Sequence, residues 1–89
     1  MKAVITVTGK DSVGIIAKVA TACSEAGANI VDISQSVLDE YFAMIMLADI
    51  DGLAVEFSEF VDKLAALGSE SGLDIHAMHE DIFNTMHHI

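Results

Sequence analysis

Residues 8–14, TGKDSVG, set a lysine, an aspartate, a serine and two glycines between an apolar stretch and a helix-like one. The N–H groups at the first turn of a helix attract a carboxylate, and the helix macrodipole adds to that attraction. Lys10 offers a further positive charge, and Asp11 offers a counterpart to an ammonium group. Carboxylate and ammonium are the two groups that every α-amino acid presents. The same residues also have a structural reading, in which Asp11 or Ser12 caps the helix and Gly14 packs against a strand. Asn29 is a second polar candidate: it can hydrogen-bond a ligand, or it can complete the turn that follows Gly27.

The remaining reactive residue types do not converge. His76 and His79 are three apart on an expected strand, so they point to opposite faces and cannot share an ion. His87 and His88 are adjacent and splay apart on a helix, and no C-x-x-C or H-E-x-x-H occurs. Cys23 falls on an apolar helix face with no placed histidine base, which reads as inert core. Met44 and Met46 read as core or interface filler. Asp32, Ser34 and Ser36 give one polar face to a strand, as at an edge or rim. With no nucleophile–base pair and no carboxylate constellation, the chain is not expected to be an enzyme, nor to carry a cofactor or metal.

The elements that must position these residues follow from periodicity. Residues 2–8, KAVITVT, are β-branched and read as a strand. Val13, Ile16, Val19, Ala20 and Cys23 form one face of a first helix, opposite Lys18, Thr21 and Glu25, and Gly27 stops it. Residues 29–38 and 41–50 read as two strands joined by a turn at Asp39 and Glu40. The later strand is apolar on both faces, with Phe42, Met44 and Met46 on one and Ala43, Ile45 and Leu47 on the other, which calls for burial on both. A second helix, starting at Asp51 or Gly52, carries Phe57, Phe60, Val61, Leu64 and Leu67 on one stripe and ends in GSESG. Residues 73–80 alternate as a fourth strand, and the tail from residue 81 has helical spacing. The order β-α-β-β-α-β predicts an α+β, ferredoxin-like sandwich: a four-stranded antiparallel sheet with two helices on one face and a short helical tail.

Composition narrows the function. The 89 residues make one expected domain, and 53% of them are hydrophobic, more than a thin core can hide. A second copy of the chain is the simplest cover, which predicts a homodimer. A formal charge of −10, with four lysines and no arginine, disfavours nucleic acid and anionic membrane surfaces. No apolar run reaches the ~20 residues of a membrane span. One cysteine excludes an intrachain disulfide, and no signal-peptide pattern opens the chain, so a cytoplasmic location is expected.

The pattern GKDSVGIIAKVATACSEAGANIVDIS, followed by VLDEYFAMIMLADID, resembles the ACT domain, a small ligand-binding regulatory module of amino-acid metabolism. The resemblance covers essentially the whole chain, 1–89, and the tail EDIFNTMHHI is similar to that of small stand-alone bacterial ACT proteins. It implies an amino acid held between two modules, near the first strand-to-helix loop and the start of the second strand. Asp11 and Asn29 then match the polar contact positions, and Gly14 matches the glycine that makes room for the ligand. Lys10, Ser12 and Ile30 flank these positions. Gly9 stands where some serine-sensing members have histidine, and Val13 replaces a frequent proline, so serine is not implied as the ligand. The implied function is a homodimeric regulatory protein that binds a small ligand and acts on a protein partner. The alternative is a protein–protein interaction module with no small-molecule ligand.

Overall fold

The β-branched and alternating segments pair into one antiparallel sheet, and the two amphipathic segments fold back onto one side of it. The computed structural model describes residues 1–10 and 14–86. The elements are β1 (Lys2–Gly9), α1 (Ile15–Ala26), β2 (Asn29–Leu38), β3 (Tyr41–Asp49), α2 (Phe57–Ser71), β4 (Asp74–His79) and α3 (Glu80–Met86). The strand order is β2-β3-β1-β4, the ferredoxin-like arrangement that the element order predicts. Register gives the sheet two ends. Lys2, Asp49 and Asn29 align at one, and at the other Gly9 pairs with Phe42, Thr8 with Asp74 and Leu38 with Tyr41.

The core lies between the sheet and α1 and α2. Ala3, Ile5 and Val7 of β1 meet Phe42, Met44, Met46 and Ala48 of β3 there, beneath Ile15, Val19 and Cys23 of α1 and Phe60 and Leu64 of α2. β3 has the two apolar faces expected, but within one chain only the helix-side face is covered: Phe42, Met44 and Met46 are buried, whereas Ala43 and Ile45 are exposed. The stripe expected on α2 also holds, with Phe60 and Leu64 fully buried and Phe57, Val61 and Leu67 half-buried.

Three expectations need correction. First, α1 starts at Ile15 with Gly14 at its N-cap, later than a cap at Asp11 or Ser12 would place it. Its buried face is Ile15, Val19, Ala22, Cys23 and Ala26, while Ile16 is 36% exposed. Asp11, Ser12 and Val13 lie outside the described residues. Second, α2 begins at Phe57 rather than at Asp51 or Gly52. The intervening loop is held against the end of α1, where Ala54 N–H donates to Ala26 O at 2.8 Å. A Cβ on Gly27 would stand 2.4 Å from Gly52 O, so the chains touch backbone to backbone. Asp49 Oδ1 accepts from Asp51 N–H at 2.9 Å, and the Asp51 carboxylate pairs with the Met1 amine. These bonds commit residues 49–54 to a turn before a helix can start. Third, β3 is not buried on both faces, and the face opposite the two helices mixes polar with apolar residues. It carries Thr6, Thr8, Ser34, Ser36, Asp32 and His76 around Val4, Ile45, Leu47 and Met78. Val4, on that face, is only 5% exposed, and α3 lies against β1 and β4.

Candidate functional site

Gly9 is the last residue of β1, and a Cβ there would run into Leu73 Cδ2. The chain then turns away from the sheet, and Lys10 reaches across to the β2–β3 turn. Its Nζ is 3.7 Å from Glu40 Oε1 and 5.5 Å above the centre of the Tyr41 ring. Asp39, in that turn, adopts φ 55°, which brings Leu38 and Tyr41 into register as neighbours. Beside these residues lies a cavity of about 350 Å³ lined by Thr8, Gly9, Ser36, Leu38, Tyr41, Phe42 and Ala43.

This end of the sheet therefore combines a cation, a carboxylate, two aliphatic hydroxyls and an aromatic face. An exposed ion pair such as Lys10–Glu40 contributes about 0–1 kcal/mol, so opening it toward a zwitterion costs little. Gly14 sits at the same end with φ 73°, and a Cβ there would meet nothing within 4 Å. The glycine is thus required by its left-handed backbone, while the space beside it is open. The first helical bond, Lys18 N–H to Gly14 O, is 3.1 Å long. The amides preceding it have no carbonyl partner within the helix, which is what an anion site needs.

Asn29 and Ile30 are elsewhere. Asn29 pairs with Asp49 and Ile30 with Ala48, at the end of the sheet where β1 begins. Asn29 is exposed and Ile30 half-buried. α1, 12 residues long, separates them from Gly14 by about 18 Å at 1.5 Å per residue. Within one chain Lys10 and Gly14 lie at the same end of α1, and Asn29 and Ile30 lie at the other. Asp11 and Ser12 lie outside the described residues. Glu40, Tyr41, Thr8 and Ser36 were missed from the sequence. The signal for them was the Asp39–Glu40 turn, whose position fixes which β3 residues face the end of β1.

The other reactive groups stay dispersed. Burial pushes the Cys23 thiol up to about 11. His76 and His79 pair with Thr6 and Ala3, on opposite faces of the sheet, and His79 stacks on Phe57 with ring centres 4.1 Å apart. Among the described residues, no three His, Cys, Asp or Glu side chains stand close enough to share a metal ion. Among the same residues, no helix is long and apolar enough to cross a membrane.

Comparison with known proteins agrees with the fold. A family model described as ACT domain matches residues 2–78. A UPF0237 protein of Listeria monocytogenes is 47% identical over 87 residues, covering 98% of each chain. Among solved structures, an ACT domain protein from Streptococcus pneumoniae superposes with a TM-score of 0.81 at 42% identity, covering 93% of each chain. The regulatory subunit of aspartate kinase from Thermus thermophilus matches with a TM-score of 0.64 at 28% identity, over 86% of this chain and 50% of that one.

Proposed function

The chain belongs to the ACT domain family, and from that premise we propose that it is a stand-alone, single-domain regulatory protein of the cytoplasm. It binds an α-amino acid at sites formed between two copies of itself and passes the signal to a protein partner. The observation that carries this reading is the division of the candidate site. Lys10 and Gly14 lie at one end of α1, and Asn29 and Ile30 at the other.

β2 supports the same reading. It is an edge strand of ten residues, all but Ile30 exposed, and Val31, Ile33, Val37 and Leu38 are among its exposed residues. Ile33 N–H donates to Asp32 Oδ1 at 2.9 Å, and among the described residues no strand pairs with the outer side of this long edge, which makes it a template for another strand. Antiparallel pairing of two β2 edges sets Asn29 of one copy beside the Leu38 end of the other. Each half of the site then faces its complement, twice per dimer. The Lys10 charge and the amides after Gly14 suit the ligand carboxylate, Glu40 suits its ammonium, and Asn29 of the second copy suits a remaining polar atom. The regulatory role rests on the family and on the aspartate kinase subunit to which the chain is similar.

Thermal melts with each of the twenty amino acids test the proposal. Binding to the native state alone adds about 2.7 kcal/mol when the ligand is a hundredfold above its Kd. At least one amino acid is expected to raise the melting temperature, and sedimentation is expected to show no free monomer at micromolar concentration. If no amino acid shifts the melt while the chain still self-associates, the reading becomes an interaction module without a ligand.

A further inference from the structure

Two octapeptides of the chain match at four positions: KVATACSE, residues 18–25, and KLAALGSE, residues 63–70. Both are helical, the first in α1 and the second in α2. α1 runs from the Gly9 end of the sheet toward Asn29. α2 starts beyond the Asp49 end and returns to Asp74, which pairs with Thr8, so the helices are antiparallel. Between them lies a groove of about 480 Å³ with Thr21, Ala22, Ala66 and Leu67 in its lining. Lys63 Nζ stands 3.5 Å from Glu25 Oε1 at one end, and Lys18 and Glu70 line the other.

The four charges therefore alternate in sign around an apolar strip. A twofold axis lying in the plane of the helix layer, whether along the helices or across them, places every lysine of one copy over a glutamate of the other. The acidic chain has only four basic residues against fourteen acidic ones, and two of the four are here. The lysines and glutamates lining the groove balance, so two copies approach there without the repulsion that a net charge of −10 imposes elsewhere. The small residues between the charges let backbones come close. We propose that the outer face of α1 and α2 is a self-docking surface, occupied by the same face of a second copy and distinct from the β2 edge.

Sedimentation of the full chain and of two charge variants tests this. Lys18→Glu with Lys63→Glu makes the groove wholly acidic, and Glu25→Lys with Glu70→Lys makes it wholly basic. All four side chains are exposed, so circular dichroism is expected to stay native. Each double variant alone is expected to sediment at half the wild-type mass, and an equimolar mixture of the two at the wild-type mass. Halving reads the helix layer whether or not the β2 edges also pair, because edge pairing sets only the starting mass. Either double variant keeping the wild-type mass, or a mixture that stays at the halved mass, overturns the proposal and leaves the groove to another occupant or to solvent.

Discussion

β2 and β3 are joined by a two-residue turn and pair along their whole length, yet one is finished by its own chain and the other is not. Ile33 and Met46 are direct cross-strand partners on the helix side of the sheet. Met46 is 0% exposed and Ile33 is 38% exposed. The difference comes from position in the sheet rather than residue type. β3 lies between β1 and β2 and under the helices, whereas β2 is at the edge. A hydrophobic strand at the centre stabilises the monomer, and a hydrophobic strand at the edge advertises an interface.

The largest test of that contrast is Met46→Ala. Removing a fully buried side chain of this size costs about 2–5 kcal/mol, a large part of the ~5–15 kcal/mol that a domain possesses. The midpoint of chemical unfolding is expected to fall sharply, and Leu64→Ala on α2 is expected to match it. A near-normal unfolding curve for Met46→Ala would mean that β3 is not the centre of the core.

An intermediate effect is expected at the corner after β1. Gly14 has φ 73°, so Gly14→Val carries a left-handed backbone that costs an L-residue roughly 1–2 kcal/mol. Read as an ordinary first-turn residue, the same position would accept valine at modest cost. Gly14→Asn is expected to recover part of the loss, since asparagine tolerates this conformation. Equal melting temperatures for the glycine, asparagine and valine forms would contradict the assignment.

The smallest effect on unfolding is expected from Ile33→Asp. Ile33 is 38% exposed and lies on an edge strand, so the change is expected to cost about 1 kcal/mol, less than a core truncation. Its consequence is expected in mass: sedimentation of Ile33→Asp loses edge pairing while its circular dichroism stays native. A variant that still pairs through β2 would make the exposed apolar edge a bystander.

Much of the fold was legible because its signals are local. Period-two and period-3.6 patterns marked the four strands and both long helices, and Phe60 and Leu64 were visible on the core stripe, while Met46 read as core or interface filler. What failed depended on distant neighbours. Ile16 looked like core, but the helix begins after Gly14, and Ile15 takes the inward position. The start of α2 depends on Gly27 meeting Gly52 and on Ala26 accepting from Ala54, contacts that no window of sequence contains. The candidate site was half legible. Lys10 and Gly14 stand out as an unusual corner, but Glu40 and Tyr41 join them only through strand register. The separation of Asn29 from that corner follows from the direction of α1.

The central claim is that a second copy completes the site, and mixing two defective chains tests it most directly. Lys10→Glu removes the corner's positive charge and Asn29→Ala removes the distant amide, so each variant alone forms dimers with both sites damaged. Mixed and re-equilibrated, they form heterodimers in which one site carries both defects and the other carries none. Calorimetry with the amino acid that stabilises wild type is expected to show negligible heat for either variant alone and restored binding for the mixture. Full binding by Asn29→Ala alone, or silence from the mixture under conditions where wild type binds, would contradict the account.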